Sequence, residues 1–282
     1  MSPQAASATG KIILSGEYAV VFGKPGIALP APFRTEARFE PDPNASSLKI
    51  SNTSHSDNTF IQHIIDLYEK QSGPLRGTLH IESTTPIGRG MGSSTALVIA
   101  IARCLHLPKE GALAIEKALN PYQSGIDFEI IWQNRPLIFI KGQEPEPIKI
   151  DLSFLDKATL VDTGKPNETT TEMVEWVKKR GRIAAIRTIS SCTTRLLSGE
   201  SPLTVFHDHH LAQVALGVVP KDVQEFITEI EKAGGAAKVL GAGGQTGGGG
   251  IVLVLHNDPS HLASSYGFRV LHAQHRLCEV LG

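Results

Sequence analysis

Residues 241–250 read GAGGQTGGGG, glycine at seven of ten positions, and the apolar run Ile251 to Leu255 follows at once. Each glycine raises the entropy lost on folding by about 0.5–1 kcal/mol relative to alanine, so so dense a tract is destabilising unless close backbone approach offsets it. A phosphate or a bound substrate is the expected occupant, with a flexible surface loop as the plainer alternative. A second glycine segment, PIGRGMGSST at 86–95, places Gly88, Gly90 and Gly92 ahead of Ser93, Ser94 and Thr95. It follows an alternating stretch, Gly77 to Ser83, and precedes an apolar run that predicts a buried helix over Thr95 to Leu105. In a strand, glycine loop, helix order, the first free N–H groups of the helix face an anion with the favourable end of the dipole. A serine at the helix start can offer its hydroxyl to Mg²⁺, although a plain strand-to-helix turn with a serine N-cap reads the same way. The segment lacks the GK[ST] ending of a Walker loop and the downstream acid of a dinucleotide fingerprint, so neither of those sites is supported.

The 282 residues taken together describe an ordinary globular protein. Hydrophobic residues make up 41%, charged residues 20%, and the net charge is −1, which gives no basis for a nucleic-acid partner. Cys104, Cys192 and Cys278 have neither disulfide-framework nor metal-ligand spacing, which fits a reducing, cytoplasmic setting. The N-terminus does not read as a secretory signal, and the longest apolar run, Ala96 to Ala102, is far shorter than the roughly 20 residues a bilayer requires. Lys11 to Leu14, Thr35 to Phe39 and Ala158 to Asp162 read as strands. Ser51 to Asn58 reads as a loop, and helices are expected over 58–70 and 110–119. Ile130 to Lys141 looks like paired strands around a turn at Gln133 to Arg135, and Gly142 to Pro147 is the expected domain boundary. Two or three helices fill 168–215. Val223, Phe226, Ile227 and Ile230 form the stripe of another helix, stopped at Gly234 and Gly235, and a last helix is expected near 259–281. The HDHH run at 207–210 lacks a ligand partner and reads as structural or solvated histidine.

Three segments together resemble the GHMP kinases, the family named for galactokinase, homoserine kinase, mevalonate kinase and phosphomevalonate kinase. They are GKIILSGEYAVVFGKPGIALP at 10–30, PIGRGMGSST at 86–95 and KVLGAGGQTGGGG at 238–250. Their order, spacing and flanking strands match, and the similarity runs over essentially the whole chain. The opening segment and Ser124-Gly125-Ile126-Asp127 are most similar to the mevalonate-kinase branch. Departures from it are Tyr18 in place of a histidine and Asn120-Pro121-Tyr122-Gln123 in place of a His-Gly-x-Pro run.

The resemblance implies a two-domain α+β fold. Residues 1–147 would form an N-terminal domain like that of ribosomal protein S5, and 148–282 a ferredoxin-like C-terminal domain. It implies ATP and Mg²⁺, with Asp127 as general base for the substrate hydroxyl and Lys11 paired with it to stabilise transition-state charge. Gly88, Gly90, Gly92, Ser93, Ser94 and Thr95 would bind the phosphates, and Ser94 and Glu116 would hold the metal. Glu17, Tyr18, Gly243, Gly244, Thr170 and Thr171 would line the substrate side. Such a set suits phosphoryl transfer, in which positioning and charge neutralisation supply most of the catalysis. The implied reaction is transfer of the γ-phosphoryl group to a small-molecule alcohol, most closely the 5-hydroxyl of mevalonate. Phosphomevalonate or homoserine as acceptor, or a non-catalytic ligand sensor on the same fold, are the alternatives. The family further implies no nucleic-acid or membrane partner and a possible homodimer.

Overall fold

The computed structural model describes residues 4–54 and 58–271. Among these the strands are β1 (Gln4–Ser15), β2 (Gly26–Pro41), β3 (Leu48–Asn52), β4 (Gly77–Ser83), β5 (Leu137–Phe139), β6 (Glu146–Pro147), β7 (Ala158–Asp162), β8 (Ala236–Val239), β9 (Ile251–Leu255) and β10 (Arg269–Leu271). The helices are α1 (Thr59–Ser72), α2 (Ser93–Cys104), α3 (Lys109–Leu119), α4 (Ile126–Gln133), α5 (Thr170–Arg180), α6 (Ile183–Leu197), α7 (Pro202–Leu216), α8 (Lys221–Lys232) and α9 (Ser260–Ser265). The fold is α+β, with two sheets. One runs β3-β4-β2-β5-β6, with β1 also paired to β2, and the other runs β10-β7-β9-β8.

Each sheet lies against helices for reasons the sequence carries. In β2, Thr35, Ala37 and Phe39 point inward and alternate with exposed Arg34, Glu36 and Arg38, the period of a half-buried strand. Ile61, Ile64 and Ile65 of α1 meet Phe39, Leu79 and Ile81 in the first core, and α2 is buried nearly all round. In the second core, Val223, Phe226, Ile227 and Ile230 of α8 pack with Val161, Val239 and Val252. A third cluster joins the two halves. Ile12, Leu14, Ile27 and Leu29 from the first sheet meet Leu160, Cys192, Phe206 and Leu253 from the second half. At about 1.5–3 kcal/mol for each fully buried aliphatic side chain, that shared core fixes the halves against each other.

Three expectations change. Residues 126–133, partly read as strand, form α4, and only Leu137–Phe139 is a strand. A short apolar run has no decisive period, and here Gly125 (φ 99°) and Asn134 (φ 49°) bracket one buried helix. Of the stretch Ser51 to Asn58 read as loop, Ser51 and Asn52 instead end an edge strand, Leu48–Asn52, parallel to β4, where half-exposure permits polar side chains. The last helix ends at Ser265 and gives way to β10, while 272–282, with Cys278, lie outside the described residues.

A buried ionic cluster ties β1 to β8. Lys238, on an otherwise apolar strand, is fully buried, and its Nζ donates to the Ile13 carbonyl at 3.1 Å, to the Val239 carbonyl at 3.1 Å and to Glu17 Oε1. All three ammonium protons thus have acceptors. His209 Nε2 lies 3.1 Å from the other Glu17 oxygen. Burial alone pushes the Glu17 carboxyl up, but the charges and hydrogen bonds of Lys238 and His209 outweigh it and hold the group at about 2. Burial works against the Lys238 ammonium, and Glu17 opposes that loss.

Lys238→Met should leave the Glu17 carboxylate buried without its cation and destabilise the protein by about 3–5 kcal/mol. Adding Glu17→Leu should recover most of that loss in urea unfolding. Because the folded Glu17 value lies below the ordinary 4.5, its contribution is complete above pH 4.5 and fades as pH falls toward 2.

Candidate functional site

A cleft of about 430 Å³ is lined from both halves of the chain. Its floor is the 86–95 segment. Gly88, Gly90 and Gly92 adopt φ of 66°, 80° and 72°, a left-handed path that glycine follows without steric cost, and Gly92 delivers the chain into α2. The Lys11 N–H donates to the Met91 carbonyl at 2.9 Å, which fastens β1 to this loop, and the β1–β2 register shifts between Thr9 and Lys11. A Cβ on Gly92 would lie 2.9 Å from Lys11 Cγ, so the lysine stem crosses the glycine directly.

Lys11 Nζ lies 3.3 Å from Asp127 Oδ1, in the first turn of α4. The lysine side chain is 4% exposed and the aspartate 34%, leaving the carboxylate facing the cleft. Glu116, on α3, is buried. Its Oε1 accepts from Thr95 Oγ1 at 2.9 Å and from Asn120 Nδ2 at 3.0 Å, while Oε2 has no protein partner. Burial raises the Glu116 pKa, those two hydrogen bonds lower it, and the nearby Asp127 charge raises it again. A buried, half-unsatisfied carboxylate on a cleft wall suits a hard cation. Mg²⁺ commonly takes one or two protein ligands together with substrate phosphates, and Ser94 lines the same wall.

Most of the expected site residues converge. Lys11, Asp127, Gly88, Gly90, Gly92, Ser93, Ser94, Thr95, Glu116, Glu17, Tyr18, Gly243, Thr170 and Thr171 all line the cleft. Their side chains are not equally free. The Thr95 hydroxyl is committed to Glu116, and both Glu17 oxygens belong to the buried cluster. Tyr18, at φ 64°, donates its hydroxyl to the Ala242 carbonyl, and burial followed by the Glu17 charge pushes its phenol pKa up. Gly244 is absent from the lining. Its N–H donates to the Val218 carbonyl at 3.0 Å.

The 241–250 tract departs from its sequence reading in one respect: the close approach comes largely from the chain's own backbone. A Cβ on Gly90 would lie 2.6 Å from the Leu240 carbonyl, one on Gly250 2.8 Å from the Arg89 carbonyl, and one on Gly248 2.3 Å from Gly164. The sequence reading assigns Lys238 no role, and His209 of the run read as structural or solvated is a buried partner of Glu17. A lysine inside the apolar run AAKVL was the available signal, since such a charge requires a buried partner. The other histidines of the run separate cleanly: His207 pairs with Glu231 at 2.9 Å, and burial takes His210 down to about 4.

This geometry, a glycine cradle at a helix start beside a lysine–aspartate pair and an unsatisfied buried carboxylate, is one that phosphoryl transfer to an alcohol can use. A family model described as the GHMP kinases N terminal domain matches residues 58–127. A mevalonate kinase of Archaeoglobus fulgidus is 30% identical over 263 residues, covering 85% of this chain and 89% of that protein. The chain belongs to the GHMP kinase family. Among solved structures, the Methanococcus jannaschii mevalonate kinase superposes with a TM-score of 0.79 at 18% identity, covering 96% of this chain and 97% of that one. A mevalonate kinase of L. major in complex with R-mevalonate gives 0.74 at 19% identity, covering 95% and 90%. At these identities the superpositions establish the fold. Among the described residues no helix is long and apolar enough to cross a membrane.

Gly92→Ala should place a methyl against the Lys11 stem and force a left-handed alanine, a backbone cost of about 1–2 kcal/mol. Turnover at saturating Mg-ATP should fall further than the melting temperature alone explains. A variant with unchanged kcat would show that Lys11 is not held by this glycine.

Proposed function

We propose that this chain is a mevalonate kinase, transferring the γ-phosphoryl group of ATP to the 5-hydroxyl of mevalonate. The observation that carries the reading is the Lys11–Asp127 pair, 3.3 Å apart and fastened to the glycine loop through the Met91 carbonyl. The A. fulgidus relative supports the choice of acceptor.

In the proposed reaction the triphosphate lies along the 88–95 backbone, with its negative charge toward the N–H groups of α2. The Asp127 carboxylate accepts a hydrogen bond from the acceptor hydroxyl, orients its lone pair toward phosphorus and takes the proton as the new O–P bond forms and the bond from the γ-phosphorus to the bridging oxygen breaks, ADP leaving with that electron pair. The Lys11 ammonium neutralises charge on the phosphoryl oxygens in the transition state. Glu116 and Ser94 would hold Mg²⁺, which supplies neutralisation of the β- and γ-phosphate charge. Thr170 and Thr171, in the first turn of α5, present hydroxyls from the opposite wall. Residues 1–147 and 148–282 are taken as the two domains, the boundary falling between the last strand of one sheet and the first of the other.

The test is ADP release from purified protein with Mg-ATP and a panel of mevalonate, phosphomevalonate, homoserine and sugars. Turnover is expected with mevalonate, and activity confined to another acceptor would reject this assignment. Asp127→Ala should lower kcat by roughly 10²–10⁴-fold while the Kd for Mg-ATP stays within a few-fold, and Lys11→Met should lower kcat through lost charge stabilisation. Wild-type rates in both would discard Asp127 and Lys11 as catalytic residues, and a wild type that turns over no acceptor would leave a ligand-binding sensor as the better reading.

A further inference from the structure

Two glycines of the phosphate loop lie beneath lysine stems. Gly92 is crossed by Lys11, and Gly88 is crossed by Lys165, whose Cε would lie 3.0 Å from a Cβ at position 88. Lys11 comes from the first sheet, whereas Lys165 comes from the connection between β7 and α5 on the other side of the cleft.

The Lys165 backbone is held at both ends. At its base, Asp162 accepts from Arg89 Nε at 2.8 Å and from the Gly164 N–H at 3.0 Å, which ties this connection to the phosphate loop itself. The Lys165 carbonyl accepts from the Gly248 N–H at 3.0 Å. Beyond it, Glu168 accepts from the Gln245 N–H at 3.0 Å and from the Thr246 hydroxyl at 2.7 Å. A lysine on a connection fastened this firmly loses less freedom on meeting a ligand than one on a free loop.

The charges in the cleft leave Lys165 uncommitted. Among the described residues lining it, the Lys11 ammonium faces Asp127 and Arg89 is paired with Asp162. Glu168, as near in sequence as Asp162, is turned to the 245–246 backbone. Lys165 makes no ion pair or side-chain hydrogen bond among the described residues, although it is packed over an anion-binding loop. A triphosphate brings several negative charges to that loop, and the N–H groups of α2 and a single metal ion meet only part of them.

We propose that Lys165 is a second phosphate-binding lysine. It closes over Gly88 from the C-terminal side of the cleft to contact the β- and γ-phosphate oxygens of ATP, opposite Lys11. The proposal rests on the kinase reading above and adds a residue to it.

The test compares wild type with Lys165→Met and Lys165→Arg by calorimetry, using Mg-ATP and AMP without acceptor, followed by steady-state kinetics. Lys165→Met is expected to raise the Kd for Mg-ATP about ten-fold, the loss typical of one charge-assisted contact, and to lower kcat. AMP binding and the KM for the acceptor should stay within two-fold, and Lys165→Arg should recover most of the loss. Unchanged Mg-ATP affinity and kcat in Lys165→Met would overturn the proposal. So would an equal loss for AMP, which would mean a collapsed site, or a shift confined to the acceptor KM. A wild-type protein that binds no Mg-ATP would overturn the kinase reading itself. Failure of mevalonate alone as acceptor would leave the nucleotide comparison fully readable.

Discussion

The site exists because two stretches of backbone touch without side chains between them. Gly90 lies against the Leu240 carbonyl and Gly241, and Gly250 lies against Arg89, so the 86–95 loop and the tract after β8 share one surface. Any larger residue at these points would separate the two walls of the cleft by the width of a methyl group. Catalysis by positioning is sensitive to displacements of that size. The entropy carried by so many glycines is therefore the structural cost of bringing remote segments into register.

The buried Glu17–Lys238–His209 cluster acts alongside this contact. Lys238 reaches the carbonyl of Ile13, two residues beyond Lys11, and so refers the strand that carries Lys11 to the strand that leads into the glycine tract. Tyr18 does the same at the cleft surface through Ala242. First and third glycine-bearing segments are thereby linked by an ion pair below and a hydroxyl above, with the shared aliphatic core beneath both. Polar groups buried this deeply are costly unless satisfied, and here the three ammonium protons are.

Much of this was legible in the sequence. The 86–95 loop, the helix behind it and the α8 stripe followed from glycine placement and apolar period, and the Lys11–Asp127 pairing from the family resemblance. Less legible was whatever depended on distant partners. Ile126 to Gln133 carries too short an apolar run to separate helix from strand, and the burial of Ile126, Phe128, Ile130 and Ile131 against distant partners decided it. Ser51 and Asn52 are polar where they end an edge strand, which hid their pairing with β4. Glu17 read as a substrate contact because motif position says nothing of a lysine 221 residues away. The glycine tract signalled close approach correctly, but composition alone could not say that the approaching group was the chain's own backbone.

The central claim is spatial: an ammonium and a carboxylate from separate elements meet one alcohol at the end of a triphosphate lying on the 88–95 backbone. A crystal structure with Mg²⁺, a non-hydrolysable ATP analogue and mevalonate tests it most directly. The expected result places the terminal phosphate against Lys11 Nζ and the acceptor hydroxyl within hydrogen-bond reach of the Asp127 carboxylate. A structure with the triphosphate elsewhere, or with these two side chains turned to different places, would contradict the account.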